Sequence, residues 1–555
     1  MNKFFAFAFI ALLSSAHAAD FTPGNGFFLN YDWMNKIVNK TPAKRGACPT
    51  LDVDVYGDGF KVALERSHWV SASVSASRWF PSDEIWASVG VGPVKNGFGI
   101  SFGEIESLDQ LDAEKNKKLP KSAEELAKWD VTDGAYWESQ GGVSFYLGTG
   151  ISPFSIGAFA VATGGWVNYL QKTGPNKVYV ERAKKKIRSI NLGVGAGYVN
   201  IGHERLYEAA SGFSYEFTLD TDESIEAFER FMYGDVTKAQ ELSAFDNSGV
   251  MKIADTSEKR IGFSNHWGFN TPFIGLISFK SASNRSVDEY EENSVWDEKV
   301  LKNYGMYVKQ RNTRIVGLHF KVAKSFMGGS TVKDVPGENS DRKVTENLYG
   351  NFKYSYQSDW GQERRLRKYI DKIKSETALT EETCVKVPDF KDSLGFNQVV
   401  LELKMKDDYI REIIGQGKFT GNFMKKIQEV AEKEQKAYFA VKNDTLDVCE
   451  KDNDSGYVDF YDCKFNTAYD MKKSFVVLES IANKMKDSYA KADKTAFSKQ
   501  IAKFGEEIWN SPFVFKAFYE QGKLCGQDFS FEVSGQRITR HVVEQKYNYS
   551  ESCVR

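Results

Sequence analysis

The most constraining feature of this sequence is a pair of long alternating segments that flank one short turn. The first segment is Phe154–Thr173, the turn is Gly174–Asn176, and the second segment is Lys177–Gly202. Two strand-like segments joined by a tight turn predict a β-hairpin. Folding at this turn places the glycine- and alanine-rich stretches 156–165 and 190–199 opposite each other. The sequence therefore predicts a β-rich architecture around this hairpin.

Alternation of apolar and polar residues extends the β pattern beyond this hairpin. Leu51–Tyr56 and Val70–Ser77 both repeat with period two, as half-buried strands do. Aromatic residues make up 14% of the chain and there are 45 glycines, a composition that favours sheets over helical bundles. We expect residues 19–360 to form a β-rich domain of long antiparallel strands with helical insertions, built as a sandwich or as a barrel-like sheet.

The pattern becomes mainly helical after residue 360. Apolar residues recur at helical spacing between positions 475 and 508, and Ser511-Pro512 is typical of a helix start. We expect residues 361–525 to be mainly α-helical and residues 526–555 to end the chain with a small β-hairpin. The predicted fold class is therefore α+β.

The first 18 residues have the three parts of a secretory signal peptide. Asn2-Lys3 is positively charged, Phe4–Leu13 is apolar, and Ala16–Ala18 supplies the small residues of a cleavage site. The apolar stretch is too short to span a bilayer comfortably. We expect residues 1–18 to be removed and the protein to be exported to the periplasm, the outer membrane or the extracellular space.

The six cysteines all lie in the exported part of the chain, where disulfides form. Cys449 and Cys463 bracket a short acidic loop, and Cys525 and Cys553 bracket the expected terminal hairpin. These two pairs are the candidate disulfides. Buried free thiols are the alternative.

A cluster of positive charge follows the turn of the long hairpin. Such a cluster predicts contact with anionic lipid or lipopolysaccharide at an outer membrane or envelope surface. A solvated strand face is the alternative. The candidate contact residues are Lys177, Arg182, Lys184, Lys185, Lys186 and Arg188.

An acidic loop between positions 452 and 462 is a candidate calcium site. Carboxylates at short intervals around a glycine suit Ca²⁺, but the EF-hand spacing is missing and an ordinary solvated turn is the alternative. The candidate ligands are Asp452, Asp454, Asp459 and Asp462. The sequence indicates no other cofactor.

Two histidine–tryptophan pairs, His68-Trp69 and His266-Trp267, echo each other. Such neighbours occur at carbohydrate-binding surfaces and equally at the edges of hydrophobic cores. The sequence leaves both interpretations open.

Catalytic signatures are missing from this sequence. It has no H-E-x-x-H zinc motif, no G-x-S-x-G elbow and no P-loop, and its formal net charge of −2 does not predict nucleic-acid binding. The leading hypothesis is an exported, non-enzymatic envelope or surface protein that acts by binding or by outer-membrane association. The alternatives are an integral outer-membrane β-barrel or pore, and a secreted hydrolase whose fold assembles a carboxylate pair. The sequence specifies no protein or glycan ligand.

Overall fold

The computed structural model describes most of the chain. The described residues are 18–34, 53–55, 59–79, 85–105, 119–151, 154–196, 199–270, 277–315, 318–337, 341–358, 363–377, 397–418, 423–441, 464–535, 538–550 and 553. These residues form sixteen strands and nine helices.

The strands lie between residues 18 and 405 and between residues 527 and 546. They are β1 (Ala18–Met34), β2 (Val53–Val55), β3 (Gly59–Trp79), β4 (Ile85–Ile105), β5 (Gly134–Ile151), β6 (Phe154–Gly174), β7 (Lys177–Ala196), β8 (Val199–Thr218), β9 (Val250–Asn270), β10 (Ile277–Ser294), β11 (Lys299–Ile315), β12 (Leu318–Pro336), β13 (Arg342–Ser358), β14 (Asn397–Met405), β15 (Gln527–Gly535) and β16 (Ile538–Lys546).

The helices lie in two groups. They are α1 (Ala123–Ala127), α2 (Asp222–Tyr233), α3 (Thr237–Leu242), α4 (Glu363–Thr377), α5 (Asp407–Ile413), α6 (Phe423–Val441), α7 (Lys464–Ala490), α8 (Lys494–Ile508) and α9 (Pro512–Cys525). The predicted order of a β-rich region, later helices and a terminal hairpin is present.

All the described strands belong to one antiparallel sheet. From β3 to β16, each strand pairs with the next strand in the sequence. At one edge β1 pairs with β3, and at the other edge β2 pairs with β16.

The link between β2 and β3 is too short for this sheet to be flat. The two strands hold the last and the second positions in the strand order, which in a flat sheet would separate them by roughly 67 Å at ~4.8 Å per spacing. Only four peptide steps join Val55 to Gly59, and these reach at most about 14 Å. The sheet therefore curls until its two edges come close together.

The central hairpin predicted from the sequence is confirmed. β6 and β7 pair from Phe154 opposite Ala196 to Gly174 opposite Lys177. Its second strand is shorter than the sequence suggested. It ends at Ala196 because β7 and β8 pair up to Ala196 and Val199, which leaves a two-residue connection.

Cross-strand pairing assigns each side chain in the sheet to one of two faces, because directly paired residues point the same way. The apolar face carries the buried residues Leu170, Val180, Phe217, Phe326 and Phe352. The opposite side is the polar face. Both helix groups pack on the apolar face.

The first helix group covers the end of the apolar face near the turn of the long hairpin. α2 begins with a capping box formed by Thr221 and Ser224 and ends at Gly234, whose φ of 101° suits glycine. Its Phe228 and Phe231 pack edge-on against Phe217 of β8, with ring centroids 5.7 and 5.5 Å apart. The resulting core fixes this end of the sheet.

The second helix group covers β11–β15, where α8 packs on a row of glycines. Gly305, Gly328 and Gly350 lie opposite one another on three neighbouring strands. A Cβ at Gly328 would overlap the Ile501 side chain of α8, and a Cβ at Gly305 would lie 2.9 Å from the Ser498 backbone. The missing side chains therefore let the helix approach the sheet backbone.

The predicted disulfide between Cys525 and Cys553 is confirmed. It joins the end of α9 to the last residues of the chain, and both cysteines are fully buried. Gln521 donates a hydrogen bond to the Cys553 carbonyl. Cys449 and Cys463, the other candidate pair, lie outside the described residues.

Replacing Gly328 by alanine should destabilise the protein by roughly 1–3 kcal/mol, because the added methyl must displace Ile501 or shift α8. Gly141→Ala is the matched control, since a Cβ there meets nothing within 4 Å and Gly141 also lies in a strand. Urea unfolding measures both variants. Equal stabilities for the two variants would contradict this packing.

Replacing both Cys525 and Cys553 by alanine should lower the free energy of unfolding by roughly 3–4 kcal/mol, because the disulfide closes a loop across a sequence separation of 28. Urea unfolding of the double variant and the wild type under the same oxidising conditions measures the difference. A double variant as stable as the wild type would show that the bond does not constrain the unfolded chain.

Candidate functional site

A cavity of about 1850 Å³ lies between the apolar face of the sheet and the helices α4, α8 and α9. Strands from β5 to β13 contribute to its lining. Sites for small molecules usually measure ~300–1,000 Å³. This cavity therefore has room for a larger ligand.

One wall of the cavity is apolar and faces open space. Its side chains come from β5–β9 and retain between 50% and 60% of their accessible surface. Cross-strand pairing makes the wall continuous, because Val194 of β7 lies opposite both Ile156 and Ile201. The residues are Leu147, Ile156, Leu192, Val194, Ile201 and Trp267. An exposed apolar surface of this kind indicates a binding site.

The polarity of the lining changes along the sheet. Ser281 and Ser283 of β10 follow the apolar wall. Beyond them, Lys309 and Arg311 on β11, Lys324 on β12 and Lys368 on α4 form a cationic wall. The acidic residues in the lining are Asp371 and Glu506. With histidines counted as neutral, four positive and two negative charges leave a net charge of +2.

One side chain of the cationic wall, Lys309, forms an ion pair that joins the sheet to a helix. The Nζ of Lys309 lies 2.6 Å from a carboxylate oxygen of Glu506, which joins β11 to α8. Burial alone would lower the pKa of Lys309, but the hydrogen bond and charge of Glu506 raise it. Lys309 therefore stays charged, and Glu506 neutralises it.

The His266-Trp267 pair noted in the sequence is divided between the two faces. Trp267 lies opposite Ile201 in the apolar wall, and its ring packs 4.9 Å from that of Phe279. His266 pairs with Gly202, and a Cβ at Gly202 would overlap the histidine ring. Trp267 is therefore the member of the pair that belongs to the apolar wall.

The six cationic residues proposed as a membrane contact lie nearer the turn of the long hairpin, whereas the cavity lies at the opposite end of the hairpin. Lys184, Lys186 and Arg188 are exposed on the apolar face. Arg182 stacks 4.6 Å from the ring centroid of Trp166 on the same face, and burial lowers its pKa. None of the six is among the described residues that line the cavity.

The remaining two of the six form ion pairs. Lys177, beside the hairpin turn, lies 3.6 Å from Glu216. Lys185 points to the polar face, where its Nζ lies 3.1 Å from Glu138 and 3.7 Å from Glu208. The sequence cluster is thus divided between the turn and both faces of the sheet.

Lys185 belongs to a charged network that crosses the polar face. Arg260 on β9 contacts Glu208 at 3.3 Å and also pairs with Asp288 of β10, whose side chain is fully buried. Burial raises the pKa of Asp288, and the charge of Arg260 opposes that rise. Because its cations and carboxylates are paired with one another, we interpret the network as structural.

The proposed calcium ligands Asp452, Asp454, Asp459 and Asp462 lie outside the described residues. In the part of the chain that the structure describes, no group of three or more His, Cys, Asp or Glu side chains is arranged to hold a metal ion. Among the described helices, none has the length and apolarity needed to cross a membrane.

Comparison with known proteins identifies no relative: no family model, curated protein or solved structure matches this chain. The interpretation of the site therefore depends on its own geometry.

Sequence reasoning found one part of this site and missed the rest. The glycine- and alanine-rich stretches of the hairpin and the His266-Trp267 pair both lie at the cavity. The cationic wall was missed because its residues come from β11, β12 and α4. Period-two alternation in those strands indicates which residues share a face, but only the strand pairing brings them together.

The burial of Glu181 on the polar face can be tested by measuring how the stability of the protein depends on pH. Burial raises its pKa above 4.5, the hydrogen bond from Thr256 opposes the rise, and Glu292 and Glu258 add to it. A raised folded pKa means that the stabilising contribution is complete below about pH 4.5 and is lost as the pH rises through the folded pKa. Glu181→Gln should therefore gain stability relative to the wild type as the pH rises from about 4 to 7.

Urea unfolding across this pH range measures the effect, and Glu291→Gln is the control of opposite sign. The hydrogen bond from Lys299 lowers the pKa of Glu291, so its contribution is present above about pH 4.5 and is lost as the pH falls through the folded pKa. A difference between Glu181→Gln and wild type that does not change with pH would contradict the burial of Glu181.

Proposed function

We propose that this protein is an exported, non-enzymatic envelope protein that binds an amphiphilic molecule in the cavity between the sheet and α4, α8 and α9. The observation that supports this proposal most is the composition of the cavity lining. Among the described residues, its apolar wall is exposed and is not covered by other apolar side chains, and serines and then cations follow it along the sheet. Export is supported by the signal-peptide pattern of residues 1–18.

The cost of leaving the apolar wall open supports a ligand. Each fully exposed aliphatic side chain forgoes ~1.5–3 kcal/mol that its burial would contribute. Five aliphatic residues and Trp267 on neighbouring strands are about half exposed, whereas the two helix groups bury apolar residues elsewhere on this face. A molecule with an apolar portion would cover the wall and recover part of that free energy.

The same curled sheet supports the barrel-like alternative of the predicted architecture over a sandwich. A sandwich needs two separate sheets, whereas the described strands belong to one. The short link between Val55 and Gly59 brings the two edges of that sheet close together. In this arrangement the proposed binding surface is part of the apolar face of a single curled sheet.

Binding of neutral amphiphiles of increasing chain length tests this function. We expect alkyl maltosides with eight to twelve carbons, below their micellar concentrations, to bind more tightly by roughly fourfold per added methylene, because each buried CH₂ contributes ~0.8 kcal/mol. Isothermal titration calorimetry measures the affinities.

The wall is tested by Ile201→Gln, which should weaken binding by roughly tenfold because it removes apolar contact with the chain. Val344→Gln is the matched control, since Val344 is an aliphatic residue of β13 that is 62% exposed and lies outside the cavity. Affinities that do not depend on chain length, or an equal loss in both variants, would contradict the proposed function.

A further inference from the structure

The cationic wall of the cavity carries an inference about the headgroup of the ligand, and this inference rests on the proposed function. We propose that the bound amphiphile has an anionic headgroup, such as a phosphate, which binds at Arg311, Lys324 and Lys368 while its apolar chain lies along β6–β9.

The first support is that positive charge remains after the internal pairing is counted. Lys309 is neutralised by Glu506 at 2.6 Å. Arg311 and Lys368 are exposed, and neither takes part in an ion pair among the described residues. Asp371 is the second carboxylate of the lining, so the charges of Arg311 and Lys368 together exceed its charge by one.

The second support is the position of Lys324. Its Nζ lies 5.5 Å from the ring centroid of Tyr354 and 5.8 Å from that of Trp509. These cation–π contacts hold the ammonium group at the junction of β12 and α8. The charge is therefore kept at the cavity.

The third support is the order of side chains along one row of paired residues. The row passes from Ile201 through Trp267 and Ser281 to Arg311, so one strand with a small hydroxyl separates the last apolar residue from the first cation. Five strand spacings from β6 to β11 correspond to roughly 24 Å. An extended amphiphile would meet apolar surface along its chain and positive charge at its head.

The chemistry of the cations favours an oxyanion. A guanidinium binds phosphate or carboxylate through two parallel hydrogen bonds, and lysine ammonium groups add compact positive charge. Lys309 of β11 pairs directly with Lys324 of β12, Arg311 lies two residues further along β11, and Lys368 contributes from α4. Groups from two strands and one helix thus converge on one end of the cavity.

Three probes with the same twelve-carbon chain test the inference on the full mature chain. Dodecyl phosphate carries an anionic head, dodecyl maltoside a neutral head and dodecyltrimethylammonium a cationic head. We expect dodecyl phosphate to bind at least tenfold more tightly than the maltoside, and the ammonium compound to bind most weakly. Isothermal titration calorimetry below the micellar concentrations measures all three.

Variants locate the headgroup. Arg311→Glu and Lys368→Glu should each weaken dodecyl phosphate binding by tenfold or more and weaken dodecyl maltoside binding by much less, and Arg311→Lys should restore most of the affinity for dodecyl phosphate. Lys343→Glu is the control for charge, because Lys343 is an exposed residue of β13 outside the cavity. Urea unfolding of each variant checks that it folds.

The outcomes separate this inference from the proposed function. Equal affinities for the three headgroups, unaffected by Arg311→Glu, would overturn the anionic headgroup and leave amphiphile binding in place. Failure of every probe to bind would overturn both. If inorganic phosphate bound as tightly as dodecyl phosphate, the site would be one for free phosphate. That result would overturn the proposal that the ligand is an anionic amphiphile.

Discussion

The pairing of β2 with β16 is the constraint on which the rest of the structure depends. Because only four peptide steps separate β2 from β3, this pairing brings β16, the last strand of the sheet in sequence, close to β3. A flat sheet of this size would keep these segments tens of ångströms apart. Curling is thus a consequence of chain connectivity, and it makes a broad apolar surface available to the helices that pack on it.

The helices then decide which part of the apolar face becomes core and which part becomes a site. α2 buries the end near the hairpin turn, and α8 approaches β11–β13 closely because Gly305, Gly328 and Gly350 offer no side chains. The cavity opens beside the second group, and none of the described residues of α1, α2 or α3 lines it. The cavity is therefore the space between one face of the sheet and the helices α4, α8 and α9.

The polar face shows why charge in a sequence is a poor guide to a surface. Six cations near one hairpin turn predict a single basic patch, but strand geometry points Lys185 to the opposite side from Lys184 and Lys186. Glu138 and Glu208 then neutralise Lys185. Membrane contact by the exposed members of this cluster stays a prediction, separate from the cavity. The contribution of a surface charge to stability or binding depends on which charged groups lie near it, and only the fold determines those neighbours.

The sequence by itself determined the long hairpin, the terminal hairpin and the later helices, because each depends on local periodicity or short spacing, and it made Cys525–Cys553 one of two candidate disulfides. It also placed the glycine-rich stretches opposite each other. Only the tertiary structure decided the curl of the sheet, the seating of α8 and the cationic wall. The physical reason is that Ile201, Arg311 and Lys368 come together through strand pairing and helix packing between segments far apart in the chain, and no local pattern encodes those contacts.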